Sequence, residues 1–280
     1  MRSRNYAGRQ NEEGTMTKMK IKILLLFFFL AFSTVLAQEN QTQATKSNLS
    51  SILPPRKLID CPTAGLLPRG SFDFDIRVYP GGGSIFGIDI GLMRRLMVGM
   101  SFGGQNVIGE GEPDWNPRIE FAVKYRMINE SFVFPALAVG YDSQGDGAYN
   151  DSLKRYTYKS KGFYAVMSKG YASGDIPIGL HAGANYSLEN EDKDKNVTVF
   201  FGADVLFGEN FGAVAEYDLG ANDDNAKELF GRGYGYLNVG AQWIFSNRLY
   251  LQFNLKNLLL NRKDASTWGR EFKIVYFESF

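Results

Sequence analysis

The side chains that could do chemistry are few. There is one histidine, His181, on the polar side of an alternating stretch, beside Asn185. A serine hydrolase needs its imidazole next to a serine and a carboxylate or amide, because the base takes the hydroxyl proton while a third group orients it. Ser168 and Ser187 are the nearest serines, and no His-x-Ser pairing appears. A hydrogen-bonded wall residue is therefore the plainer reading of His181. A single histidine also excludes a histidine-rich metal site. The acidic stretches 142–151, 189–194 and 223–224 carry oxygen ligands of the kind calcium takes. Yet Asp142-Ser143-Gln144-Gly145-Asp146 lacks the spaced carboxylates and distal bidentate Glu of an EF-hand, so these stretches read as solvated loop charge. Gly81-Gly82-Gly83 precedes no Lys-Ser, no Lys-Thr and no helix, so it is no phosphate loop. Cys61, the sole cysteine, excludes an internal disulfide and reads as a small side chain in a linker. The expectation is no cofactor, no bound metal and no enzyme. An enzyme that modifies lipid or glycan through His181 is the alternative.

The elements that would position these residues are strands. In residues 71–78, Phe72, Phe74, Ile76 and Val78 alternate with Ser71, Asp73, Asp75 and Arg77. Successive strand side chains face opposite sides, so one face is apolar and the other charged. Pro80-Gly81-Gly82-Gly83 turns the chain. Eleven further candidates follow: 84–92, 96–103, 118–126, 132–141, 156–170 with a bulge near Gly162, 178–187, 197–207, 211–219, 234–245, 249–256 and 270–280. In 118–126, Arg118, Glu120, Lys124 and Arg126 share one face. Four charges cannot sit in a sandwich core, while Ile119, Phe121, Val123 and Tyr125 opposite them need cover.

Connections sort by length. Those at 93–95, 128–131, 171–177, 208–210 and 246–248 are short. Those at 104–117, 142–155, 188–196, 220–233 and 258–269 are longer and polar. Only 80–83 breaks the alternation. Such sorting belongs to an antiparallel up-and-down transmembrane β-barrel, here of about 12 strands, with short periplasmic turns and long outer loops. A soluble periplasmic β-protein is a further alternative. In a barrel, Asp73, Asp75, Arg77, Asp89, Arg118, Glu120, Lys124, Arg126, His181, Asp204, Glu216, Asp218, Lys256, Glu271 and Lys273 line the lumen. Tyr79, Tyr125, Tyr141, Tyr217, Trp243, Tyr250 and Tyr276 fall near strand ends, where an aromatic girdle sits. Unpaired edges in hydrocarbon cost several kcal/mol per group, so the first strand must pair with the last. Phe272, Ile274, Tyr276 and the final Phe280 form the barrel-closing signal. Glu278 departs from it, which puts Glu278 at the rim or shifts the register there.

The net charge is +1, with charged residues at 22% and mean hydropathy −0.22. The balance gives no case for nucleic acid, and a helical membrane protein would be more apolar. Lys18, Lys20 and Lys22 precede an apolar run and Val35-Leu36-Ala37. That pattern is a secretory signal over 1–37, with 1–15 an upstream extension. Residues 38–69 read as a flexible periplasmic linker that can fold back as a plug over 60–70. Residues 70–280 form the barrel.

Leu58-Ile59-Asp60-Cys61-Pro62-Thr63-Ala64-Gly65, with 66–70 after it, resembles the opening of YjbH-like envelope proteins, which read LID-x-P-T/S-A followed by P-x-G. GEGEPDWNPR at 109–118, FPALAVGYDSQG at 134–145, KSKGFYAVMSK at 159–169 and GANYSL at 183–188 are similar to the same group. The resemblance covers about 58–188. It implies an outer-membrane barrel of a Gram-negative-type bacterium linked to export or passage of surface polysaccharide. Its partners would be outer-membrane lipid, the barrel-insertion machinery and surface polysaccharide or its export proteins, with the chain itself a monomer.

Overall fold

Alternating apolar and polar residues between turn formers make strands, and strands account for nearly all regular structure. The computed structural model describes residues 55–224, 230–246 and 248–280. The signal and its extension, with the linker as far as residue 54, lie outside these. The strands are β1 Ser71–Tyr79, β2 Gly83–Met93, β3 Leu96–Gln105, β4 Asp114–Trp115, β5 Glu120–Ile128, β6 Ala136–Asp142, β7 Asp146–Asn150, β8 Arg155–Tyr158, β9 Gly162–Ser173, β10 Ile176–Tyr186, β11 Thr198–Phe207, β12 Phe211–Asp218, β13 Tyr236–Ser246, β14 Leu249–Lys256 and β15 Gly269–Ser279. Among the described residues, twelve of them close into one antiparallel barrel. β4 is a short addition to β3, and β7 and β8 form a separate hairpin.

Closure runs through β1 and β15, in unbroken register from Ser71 opposite Ser279 to Val78 opposite Phe272. The Phe280 amide continues the seam onto the Gly70 carbonyl at 2.8 Å. Register does not shift at Glu278. Its side chain accepts bonds from Arg248 and the Tyr276 hydroxyl, both at 2.8 Å, which fixes it as a rim group.

The pairing registers carry one inward parity round the whole barrel. The outward set includes Met100, Phe121, Val123, Phe163, Met167, Phe211, Trp243 and Phe253, all exposed. Among described strand residues the outward set carries charge only near its rims, at Lys169, Arg270 and Glu278. No core among the described residues covers these apolar side chains.

Several local expectations change. Residues 156–170 are not one bulged strand. β8 leaves the wall to pair with β7, and the chain re-enters at Gly162, whose positive φ of 59° suits glycine. β9 and β10 run on to Ser173 and Ile176, so the turn at 171–177 shrinks to two residues. Tyr79 is buried with its hydroxyl on the Gly104 carbonyl, Tyr250 has inward parity, and Tyr217 bonds the Tyr234 carbonyl. Those three leave the girdle: Tyr79 and Tyr250 because parity rather than position along a strand decides which face an aromatic takes, and Tyr217, outward by parity, because the chain at 234–235 covers it. Arg118 lies on the loop before β5 and is half-exposed, reaching in to Glu120 at 2.9 Å.

Candidate functional site: a lumen closed by its own chain

The lumen is filled from one side by residues 55–70. Pro62, with Pro55 before it, prevents a regular strand, and the chain instead reverses over 58–61. The Leu58 amide bonds the Cys61 carbonyl, Lys57 pairs with Pro62, and the Thr63 amide bonds the Arg56 carbonyl. The result is an irregular hairpin inside the barrel, and the chain leaves it toward Gly70 at the short-turn rim. Leu58, Ile59, Cys61, Thr63, Ala64 and Leu67 are all at most 1% exposed. This is no solvated linker.

Apolar contacts hold the hairpin in part. Cys61 and Ala64 pack with Ala136, Ala138, Tyr164, Val166 and Phe200; Leu58 and Ile59 pack with Val214; Leu66 and Leu67 pack with Met97. The wall is thinned to admit it. A Cβ on Gly202 would lie 2.2 Å from the Leu58 side chain, and one on Gly91 would lie 2.0 Å from the Pro68 carbonyl oxygen.

Polar contacts hold its tip. The Glu216 carboxylate accepts the amides of Ile59, Asp60 and Cys61 at 2.8–3.1 Å, and Asn238 donates to it at 2.8 Å. Three successive N–H groups converging on one carboxylate form a backbone nest, here filled by the barrel's own side chain. Lys256 reaches Asp60 at 2.8 Å, Asp146, and Glu271 at 3.5 Å. Asp60, Asp146 and Glu271 lie close enough together to resemble a cation site, but the Lys256 ammonium already stands among them. Arg56 pairs with Asp73 toward the short-turn rim, and Lys57 pairs with Asp142, at the loop end of β6, at 2.7 Å. Lys124 bonds the carbonyls of Arg56 and Gly65, and Arg126 bonds that of Ala64 at 2.9 Å.

The other mouth is covered by the loops. The β7–β8 hairpin folds inward, and its Tyr156 hydroxyl bonds Glu120 at 3.0 Å. Arg155, wholly buried, pairs with Asp192 at 2.6 Å and Asp223 at 2.7 Å; Lys159 also pairs with Asp192. Asp142, Asp146, Glu189, Asp192, Asp194 and Asp223 are all buried. Reading these acidic stretches as solvated loop charge is corrected: a loop that folds over a lumen buries its carboxylates and must supply them with donors. Glu189 accepts the amides of Tyr156 and Ser160, at 3.2 and 3.3 Å. Burial outweighs those bonds and pushes its carboxyl up to about 7.

Between hairpin and loops a cavity of about 50 Å³ remains, lined by Lys57, Asp60, Arg77, Asp146, Lys161 and Asp218 among others. That holds a few waters and is no open channel.

The structure brings most of the sequence-derived lumen residues onto the inner wall, in two groups. Asp75, Arg77, Glu216, Asp218, Lys256, Glu271 and Lys273 surround the hairpin tip and cavity or line the wall beside them. Asp73, Asp89, Lys124, Arg126, His181 and Asp204 lie on inward positions elsewhere along the hairpin. Composition could not point to Tyr156, Arg155 and Glu189, because their burial depends on how the long loops fold. Ser168 was also missed as a partner of His181. The two are cross-strand neighbours in the β9–β10 hairpin, a pairing visible only once its two-residue turn is known.

No family model matches the chain, and no curated protein matches it. Among solved structures it is similar to the KdgM porin, at 11% identity over 75% of this chain and 99% of that one, with a TM-score of 0.43. It is also similar to the Acinetobacter baumannii outer membrane protein Omp33, at 9% identity over 75% and 97%, TM-score 0.44. The COG4313 outer membrane channel from Pseudomonas putida F1 aligns at 12% identity over 76% and 97%, TM-score 0.39. At these values the likeness is one of barrel shape alone.

Proposed function

We propose that this chain is a gated outer-membrane barrel for small polar solutes, closed at rest by its own 55–70 hairpin. An apolar wall without cover from the described residues, over a closed ladder with a charged interior, suits a bilayer. The observation that carries the gating is the hairpin's attachment. Its tip is held by ion pairs and by hydrogen bonds from its amides to a wall carboxylate, and a permeant polar solute can replace such contacts one by one. The resemblance to YjbH-like proteins adds a finer reading, in which the solute is surface polysaccharide or the barrel supports its passage. The LIDCPTA opening that carries the resemblance is the hairpin itself.

Planar-bilayer recording tests the gate. The native chain is expected to be mostly silent. Glu216→Ala combined with Lys256→Met releases the tip, frees Asp146 of the loop cover from the same lysine, and raises open probability at least tenfold, a difference of about 1.4 kcal/mol between closed and open. A variant that keeps heat-modifiable gel mobility yet stays as silent as the native chain would overturn the gate.

A further inference from the structure

Ser168, His181 and Asp204 project inward from three neighbouring strands, β9, β10 and β11. Asp204 Oδ1 lies 2.7 Å from His181 Nε2, and Ser168 Oγ lies 2.7 Å from His181 Nδ1. A carboxylate only accepts, so Nε2 carries the proton. In the neutral ring Nδ1 then offers its lone pair to the serine hydroxyl. This is the arrangement of an activated nucleophile: hydroxyl, base and orienting carboxylate in hydrogen-bonded series. It fits poorly as mere wall packing, since both imidazole nitrogens are engaged, one by the hydroxyl and one by the carboxylate, and His181 is buried between them.

A fourth group faces the same spot. The Ala64 amide donates to Ser168 Oγ at 2.8 Å, and Arg126 Nε donates to the Ala64 carbonyl at 2.9 Å. One residue of the hairpin therefore lies between the serine and a guanidinium. An acyl group in that place would meet a nucleophile on one side and a cation for its developing oxyanion on the other.

We propose that Ser168, His181 and Arg126, positioned by Asp204, form an acyl-ester hydrolase site on the inner wall, occupied at rest by the Thr63–Gly65 peptide. With the hairpin displaced, Ser168 Oγ bonds to the carbonyl carbon of a carboxylic ester as its proton passes to His181 Nδ1. The carbon–oxygen bond to the alcohol breaks, and His181 returns the proton to the leaving alkoxide. Water, deprotonated by His181, then attacks the acyl-serine ester. The acid leaves and the proton returns to Ser168.

The test uses a reporter-tagged alkyl fluorophosphonate, which traps activated serines, on the full chain in detergent. The native chain should label slowly. The Glu216→Ala, Lys256→Met chain, changed away from the site, should label at least tenfold faster, with the adduct on Ser168 by peptide mass. On that background His181→Ala should slow labelling by about 100-fold or more, and Ser168→Ala should abolish it. Asp204→Asn should alter the pH dependence of labelling, which a purely structural contact would leave unmoved. Absence of label from a released chain that keeps heat-modifiable mobility and conducts would overturn the site, as would label that survives Ser168→Ala. A released chain that labels but does not conduct would uphold the site and count against the channel alone.

Discussion

Lys256 is one cation shared by three carboxylates. It answers Asp60, Asp146 and Glu271 together, and its ammonium also lies 5.0 Å from the Tyr158 ring centre. Lys256→Met leaves the buried Asp146 and Glu271 and the part-buried Asp60 without their shared cation. The expected loss is about 3–5 kcal/mol, read as a lower temperature for the heat-modifiable gel shift. Glu189 sets a pH dependence of the opposite sign from the common carboxylate case. Its folded pKa lies above the unfolded one, so its contribution is complete below about 4.5 and is lost as pH rises through about 7. The loop cover should loosen between those values by up to about 3 kcal/mol. Glu189→Gln should flatten that dependence, measured as protease cutting within 187–197 at pH 5 and pH 8. The sequence showed the acidic residues but not their partners. Arg155 meets Asp192 and Asp223 only because three separate loops converge, and no local spacing encodes that.

At the scale of elements, the β1–β15 seam and the 55–70 hairpin make different demands. The seam was legible, because Phe72 to Val78 and Phe272 to Phe280 alternate cleanly and an open edge in lipid is too costly to leave. Ile274→Arg places a charge on the outward face midway along it and should cost about 2–4 kcal/mol, seen as loss of the folded band after outer-membrane assembly. The hairpin was half legible. Its prolines marked irregular chain, yet nothing in the pattern of 55–70 told lumen from periplasm. What decides is the receiving wall: Gly91 and Gly202 leave space, and Glu216 offers acceptors. Cys61 reports on this element directly, being buried in the described lumen. A small charged thiol reagent should leave it unmodified in the native chain and modify it in the Glu216→Ala, Lys256→Met chain. Equal reactivity in both would show that the hairpin is not held.

For the whole molecule, short turns at one end and long loops at the other were readable from the chain, and they assign the ends of the barrel. How far the loops fold inward was not, since their length permits either an open vestibule or a cover. Both mouths are obstructed, by loops above and the hairpin below, yet the two obstructions differ mechanically. The hairpin doubles back on itself, so Arg56 and Gly65 stand level on the same lysine. A pull on the chain at Pro55 would therefore load the Arg56, Lys57 and tip attachments in succession, like a zip, and not all at once. Peeling of that kind yields at low force, whereas the surrounding ladders, loaded in shear, would hold. In a single-molecule pulling record this barrel should release a short length of chain well before any strand leaves the wall.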